Sequence, residues 1–249
     1  MISNTKPDTF LESDQAQTRE LLSVPSFYNY FKRLVDFWVA FLVLVLLLPI
    51  LAIIAVAIAI DSSGPVFFIQ ERVGAKRIKR NNKYSWQSIR FNCYKFRSMI
   101  PDADSSLHQN FVEAYINGDE KGMTECQGEQ NNIKKLIHDP RVTRVGHFLR
   151  KTSLDELPQF WNILMGDMSL VGPRPAIPYE LDVYKSWHHL RLQGMQGLTG
   201  LWQVTARSSA DFDQMVRLDI EYLENQSAWS DFKIVLKTPF AMISGKGAH

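Results

Sequence analysis

An uninterrupted stretch without charge constrains this chain more than any other feature. No charged side chain occurs from Phe37 to Ile60, a run of 24 residues. About 20 apolar residues suffice for a helix to cross the hydrocarbon core of a bilayer. Outside this run the chain is polar, because the mean hydropathy of the whole sequence is only −0.16. The sequence therefore predicts one membrane element attached to a polar body that is exposed to water.

The charges around this run predict its orientation. Lys32 and Arg33 precede it, and five cations follow it closely: Arg72, Lys76, Arg77, Lys79 and Arg80. Lysine and arginine near a membrane segment favour the cytoplasmic side, so we expect the C-terminal portion to be cytoplasmic. The formal net charge of +2 argues against a nucleic-acid-binding protein. Two cysteines without a CxxC pair predict reduced thiols and no zinc site.

Pro49 lies at the centre of the uncharged run and predicts a kink or break there, since proline removes a helical hydrogen bond. The arm from Phe37 to Leu48 is about 18 Å long at ~1.5 Å per residue. This arm is too short to cross about 30 Å of hydrocarbon. A kinked 24-residue helix could still span. Two topologies remain open: a spanning helix, and a re-entrant helix-break-helix that dips into one leaflet.

Weaker patterns organise the rest of the chain. Residues 1–25 are polar and predict a mobile tail. Alternation from Arg90 to Met99 predicts a strand that has Lys95 and Arg97 on one face, which suits an anion or merely a solvated face. Segment 101–135 carries no chemical signal. Residues 211–224 predict an amphipathic helix, and 229–243 a helix that lies either in the lipid headgroup region or on the soluble core.

The chemistry concentrates between Asp139 and Pro175, in the stretch DPRVTRVGHFLRKTSLDELPQFWNILMGDMSLVGPRP. It contains several arginines and the adjacent carboxylates Asp155 and Glu156. Ser153 could cap a helix that begins here, but such a helix would hold Pro158 in its interior. We therefore expect the helix to begin near Leu157–Pro158, which places both carboxylates just ahead of its N-terminus.

Paired carboxylates among guanidinium groups suggest phosphoryl transfer. An ionised aspartate can attack phosphorus, and a neighbouring glutamate can hold a divalent cation that neutralises phosphate oxygens. Arginines bind phosphate in a bidentate manner. Two alternatives stay open from the residues alone: a structural cluster of salt bridges, and a membrane-tethered protein that binds anionic polymers or lipid headgroups without turnover.

Several long motifs resemble those of bacterial sugar transferases, the monotopic polyprenol-phosphate phosphoglycosyl transferases. They are KRLVDF before the uncharged run, GPVFFIQERVG after it, YKFRSM, the stretch from Asp139 to Pro175, and GLTGLWQV. The resemblance extends from about Tyr30 to the C-terminus. It implies transfer of a sugar 1-phosphate, expected to be a hexose 1-phosphate, from a UDP-sugar to undecaprenyl phosphate, with release of UMP. This step initiates exopolysaccharide, capsule or O-antigen synthesis.

The resemblance also implies roles for individual residues. Asp155 corresponds to the nucleophile that forms a covalent phosphosugar intermediate, and Glu156 to its Mg²⁺-associated partner. The cations that correspond to phosphate- and nucleotide-binding residues are Lys95, Arg97, Arg150 and Arg174. Family members carry a re-entrant helix broken at a central proline, which favours the dipping topology here.

We therefore expect an α+β fold, helix-rich with a small β-sheet, at the cytoplasmic face of a bacterial inner membrane. Its parts are a flexible tail (1–25), a re-entrant helix (26–64) and a catalytic domain (65–249). The expected partners are the UDP-sugar, undecaprenyl phosphate and membrane lipids, and no nucleic acid. Homo-oligomerisation and the identity of the sugar are left open by the sequence.

Overall fold

The computed structural model describes residues 26–80, 83–100, 106–127, 141–206 and 210–243. The predicted tail over 1–25 lies outside these ranges. The helices are α1 (Ser26–Asp61), α2 (Ser106–Asn117), α3 (Glu120–Gln127), α4 (Arg144–Thr152), α5 (Gln159–Met165), α6 (Leu201–Thr205), α7 (Phe212–Glu224) and α8 (Ala228–Ile243). The strands are β1 (Phe67–Arg80), β2 (Lys83–Phe96), β3 (Ser169–Val171) and β4 (Gly197–Thr199). In the described ranges the fold is helix-rich with two small sheets, as predicted for an α+β protein.

Helix α1 contains the uncharged run and continues without interruption through Pro49. A break of the helix at this proline is therefore wrong, and the kink predicted as its alternative stays a prediction. Proline has a helical φ and loses only its own bond, here to the carbonyl of Val45, so neighbouring turns can maintain the helix. By length and composition, the segment Phe27–Asp61 is the one helix in the described part of the chain that could cross a membrane.

Strands β1 and β2 form a long antiparallel hairpin directly after α1. Its register pairs Phe67 with Phe96 at the base and Arg80 with Lys83 near the turn. The strand predicted from Arg90 to Met99 lies partly within β2, which begins earlier and ends at Phe96. The predicted alternation therefore does not extend to Arg97.

Both halves of α1 pack against the same body. Ala40 is fully buried in a cluster with Phe91 and Ile163, and Ile54 and Ile58 are buried against Phe96 and Leu149. Between these two contacts, most of the apolar side chains of α1 are exposed, including Leu46 at 73%. The helix therefore presents one face to the protein and a broad apolar face outward.

The C-terminal helices close the fold as their patterns predict. Asp211 caps α7 by accepting a hydrogen bond from the backbone N–H of Gln214 at 2.7 Å. In α8, Ile234 is buried against the short parallel sheet of β3 and β4, whereas Phe240 is 75% exposed. One face of α8 packs on the core, as one of the two alternatives predicts. The opposite face is apolar and exposed, and its position in the lipid headgroup region stays a prediction.

Candidate active site

The dyad of Asp155 and Glu156 lies on a single 3₁₀ turn (Leu154–Glu156) between α4 and α5. Helix α4 ends at Ser153, whose left-handed backbone (φ 56°) redirects the chain. Helix α5 then begins at Gln159 with Pro158 as its N-cap. The predicted helix start is confirmed to within two residues. Ser153 makes no side-chain capping bond to this turn, as expected from the position of Pro158.

Glu156 is held by two cations. The Nζ atom of Lys95, near the end of β2, donates to Oε1 of Glu156 at 2.7 Å, and Nη1 of Arg174 lies 3.8 Å from the same oxygen. Burial alone would raise the pKa of Glu156, but the charges of Lys95 and Arg174 outweigh burial and lower the pKa to about 2. Glu156 is therefore ionised at any physiological pH.

Asp155 has a different electrostatic environment. Burial raises its pKa, and the adjacent charge of Glu156 raises it further, while Lys95 is the strongest opposing influence. A carboxylate of raised pKa is a stronger base and a better nucleophile than an ordinary one, provided that it is ionised. The two neighbouring carboxylates thus have pKa values displaced in opposite directions, as in sites where two acids perform different tasks.

Arg150 and Arg174 are fixed near the dyad by separate anchors. The Nε atom of Arg150 donates to Oγ of Ser98 at 2.9 Å. Helix α4 carries Arg150 and passes so close to this segment that a Cβ at Gly146 would lie 2.1 Å from the carbonyl oxygen of Ser98. The backbone carbonyl of Arg174 accepts from Nη2 of Arg191 at 3.1 Å, leaving the Arg174 side chain 38% exposed.

The side chain of Arg97 is directed toward the C-terminal end of α1. Its Nη2 atom donates to the carbonyl of Ser62 at 2.6 Å, and Arg97 therefore binds the C-terminal end of α1 instead of sharing a face with Lys95. The physical reason is that β2 ends at Phe96, so alternation stops before Arg97. The Nε and Nη1 atoms of Arg97 are buried without a hydrogen-bond acceptor among the described residues. Its phosphate-binding role stays a prediction.

Sequence reasoning missed three residues beside the site. Arg72 is buried in β1 and donates from Nη1 to the carbonyl of Pro175 at 3.0 Å. His108 and Tyr179 form a pair, with Nδ1 of His108 2.7 Å from the Tyr179 hydroxyl oxygen. Burial and nearby arginines lower the pKa of His108 to about 4. Those arginines are Arg72, Arg141, Arg150 and Arg174. The signal available for Arg72 was its place in the motif GPVFFIQERVG, whereas the His108–Tyr179 pair had none.

Helix α1 contacts both helices that flank the dyad. At its C-terminal end, Oδ2 of Asp61 accepts from the backbone N–H of Val145 at 3.1 Å, in the first turn of α4. Near its N-terminal end, Arg33 donates to the carbonyl of Leu164 at 2.7 Å, in the last turn of α5. An anion at a helix N-terminus and a cation at a C-terminus both complement the helix dipole. The apolar helix therefore helps to position the dyad.

The carboxylates of the dyad could contribute ligands to a Mg²⁺ ion. Mg²⁺ in phosphoryl-transfer sites is commonly held by one or two carboxylates together with substrate phosphates. The described ranges contain no group of three His, Cys, Asp or Glu side chains that could hold a metal alone. A Mg²⁺ ion here would therefore need a carboxylate oxygen of Glu156 together with oxygens of the substrate, whose phosphates the surrounding arginines could hold.

Comparison with known proteins shows that most of the chain matches one protein family. Residues 27–245 match the family described as Bacterial sugar transferase. The chain is 37% identical to a UDP-galactose-lipid carrier transferase of Erwinia amylovora, over 89% of this chain and 42% of that protein. It is 38% identical to a UDP-glucose:undecaprenyl-phosphate glucose-1-phosphate transferase of Escherichia coli, over 88% and 41%. The exopolysaccharide production protein ExoY of Rhizobium meliloti is 38% identical, over 88% of both chains. The chain thus spans less than half of the first two relatives and most of ExoY.

Proposed function

Because the chain belongs to the bacterial sugar transferase family, we propose that it transfers a sugar 1-phosphate from a UDP-sugar to undecaprenyl phosphate and releases UMP. This reaction would initiate the synthesis of an exopolysaccharide, capsule or O-antigen. The observation that most strongly supports this proposal is the environment of the dyad. Glu156 forms an ion pair with Lys95 at 2.7 Å, while the neighbouring Asp155 has a raised pKa.

The first half-reaction uses Asp155 as the nucleophile. Its carboxylate attacks the phosphorus that bears the sugar, and the bond from this phosphorus to the bridging oxygen of UMP breaks. UMP leaves with the electron pair of that bond, so the sugar phosphate becomes an acyl phosphate on Asp155. The cations Lys95, Arg150 and Arg174 neutralise charge that develops on phosphate oxygens. Mg²⁺, held by Glu156 and the donor phosphates, would act as a Lewis acid on the same oxygens.

The second half-reaction restores Asp155. A phosphate oxygen of undecaprenyl phosphate attacks the same phosphorus, and the bond to the Asp155 carboxylate breaks. The product is undecaprenyl diphosphate sugar, and Asp155 is again an ionised carboxylate. Neither half-reaction needs a proton donor, which agrees with a site that presents cations around its two carboxylates.

The position of α1 supports a membrane helix that enters and leaves by one face. Ala40 and Leu51 both contact the body, and the 11 residue steps between them rise only about 16 Å at ~1.5 Å each. A hydrocarbon core of about 30 Å cannot be crossed within that interval. Cysteines introduced at Asn29 and at Ser63, near the two ends of α1, should therefore be labelled from the same, cytoplasmic side by an impermeant reagent. Labelling from opposite sides would mean a spanning helix.

The contrasting function is binding of anionic polymers or headgroups without turnover. A protein that only binds anions gains nothing from two carboxylates inside its basic cluster, because they repel the ligand. No contact in the described ranges favours this alternative over transfer.

A panel of labelled donors tests the proposed function. The whole chain, in lipid nanodiscs with undecaprenyl phosphate and Mg²⁺, is incubated with radiolabelled UDP-glucose, UDP-galactose and other UDP-sugars. We expect label in the lipid extract for at least one donor, and release of UMP in equal amount. The names of the relatives divide between galactose and glucose, so both donors belong in the panel. No lipid label with any donor would contradict the proposal.

A further inference from the structure

The turn end of the β1–β2 hairpin is strongly basic and takes no part in the proposed reaction. We call residues 76–80, 83 and 84 the hairpin tip. Five of its residues are cations: Lys76, Arg77, Lys79, Arg80 and Lys83. No acidic residue occurs from Arg72 to Phe96, so the hairpin has no carboxylate of its own beyond Glu71 to neutralise this charge.

Aromatic contacts hold the hairpin tip beside the beginning of α1. The hydroxyl oxygens of Tyr84 and Tyr30 are 3.4 Å apart. The Cζ atom of Arg77 lies 3.9 Å from the centre of the Tyr84 ring, and Nζ of Lys79 lies 5.8 Å from it. The base of the hairpin follows the end of α1, so the hairpin runs back along the helix from its last turn to its first turns.

This contact fixes the level of the hairpin tip relative to the uncharged run. Tyr30 precedes Phe37, the first residue of that run, by seven residues, or about 10 Å along the helix axis. The surrounding α1 side chains are aromatic and exposed, including Phe27 at 81% and Trp38 at 52%. Aromatic and basic residues at this position are typical of the membrane–water interface. The Debye length is about 8 to 10 Å at physiological salt, so cations at this level interact with surface charge.

We propose that the hairpin tip is a docking surface for the anionic phospholipid headgroups of the membrane that holds α1. The inference rests on the proposed membrane placement of α1. Charge complementarity selects the occupant, because anionic lipids give the cytoplasmic leaflet a negative surface potential that attracts clusters of lysine and arginine near it. Docking of the hairpin tip adds a second attachment point at a distance from the C-terminal end of α1. Two attachment points fix the tilt of the body over the bilayer.

Fluorescence quenching tests this contact in the whole chain. A bimane fluorophore is placed at Ser85→Cys, beside the hairpin tip, in a Cys126→Ser background. The protein is reconstituted into nanodiscs of phosphatidylcholine alone or with about 30 mol% phosphatidylglycerol. Each nanodisc also contains a small fraction of phosphatidylcholine that carries a nitroxide on its headgroup.

We expect quenching to increase with phosphatidylglycerol and to be reversed by about 0.5 M NaCl, which screens the charges. Each cation neutralised should reduce the ratio of docked to undocked hairpin about fivefold. Replacing the five cations with glutamine should therefore abolish the response to phosphatidylglycerol. The matched control replaces Lys76, Lys79 and Lys83 with arginine, keeps the charge, and should retain the response.

A second label separates this proposal from the membrane placement of α1. Leu46→Cys carries bimane in the middle of α1 and is tested with nitroxide on the lipid acyl chain. Quenching at Leu46 together with equal headgroup quenching at Ser85 in both lipid mixtures would overturn the hairpin proposal alone. Absence of quenching at Leu46 would overturn the membrane placement and, with it, the hairpin proposal.

Discussion

Replacing Lys95 with methionine should move the acid limb of the pH–rate profile to higher pH. Burial raises the pKa of Asp155, and Lys95 is the cation that opposes this most strongly. Without that charge the pKa of Asp155 rises further, and that of Glu156 rises from about 2. A carboxylate of higher pKa is protonated at higher pH as the solution is acidified. The protonated Asp155 cannot attack phosphorus, so activity is lost earlier.

The distance from Lys95 to Glu156, the carboxylate that it contacts, gives an upper bound for the shift at the adjacent Asp155. The Nζ atom of Lys95 lies 2.7 Å from Oε1 of Glu156, in a site where the two side chains are 16% and 24% exposed. Unit charges about 4 Å apart interact by about 4 kcal/mol at an effective dielectric constant near 20. This energy corresponds to about 3 pKa units at 1.36 kcal/mol per unit. Arg174 and partial solvation remain in the variant, so we expect an upward shift of about 1 to 2 units.

The assay is kcat/KM for lipid-linked product across the pH range in which each variant stays folded by circular dichroism. Lys95→Arg keeps the charge and should keep the wild-type limb. Arg90→Gln is the matched control, because Arg90 lies on the same strand but pairs with Glu71 at an exposed position. An acid limb of Lys95→Met that superimposes on the wild-type limb would refute the electrostatic argument, whatever the absolute rate.

Three further variants test separate parts of the account. Glu156→Gln should raise the Mg²⁺ concentration that gives half-maximal rate, and an unchanged Mg²⁺ titration would move the metal elsewhere. Asn162→Ala should lower the free energy of unfolding by about 3 kcal/mol in urea titrations. The reason is that the fully buried Asn162 amide forms hydrogen bonds with two backbone groups of β2. An effect below about 1 kcal/mol would contradict this expectation. Asp61→Ala should lower kcat more than it raises the KM for the UDP-sugar, because the Asp61 carboxylate accepts a hydrogen bond from the first turn of α4. The reverse split would mean that Asp61 does not position the dyad.

The position of the dyad could be predicted from the sequence because local rules determine it. Proline is favoured in the first turn of a helix, so Pro158 indicated where the helix after the dyad begins. Pro49 inside α1 shows that this preference is not absolute. In α5, Ile163 is fully buried, whereas Trp161 is 49% exposed. Periodicity alone does not tell which apolar residue faces a neighbour and which faces outward.

Contacts between distant segments could not be predicted in this way. His108 and Tyr179 are 71 residues apart, and Arg97 meets Ser62 only because α1 returns to the body. The break expected at Pro49 was wrong for a related reason, since the hydrogen bonds and packing of the turns on either side keep α1 helical. These long-range contacts and the intact helix depend on tertiary packing, which the residue pattern of one segment of the sequence does not specify.

Covalent capture of the intermediate tests the central claim most directly. The protein is incubated with Mg²⁺ and the UDP-sugar that proves active, without undecaprenyl phosphate, then quenched and analysed by intact and peptide mass spectrometry. We predict one sugar phosphate per chain, mapped to Asp155, with release of UMP and no adduct in Asp155→Asn. An adduct on another residue, or full turnover by Asp155→Asn, would contradict the assignment of Asp155 as the nucleophile.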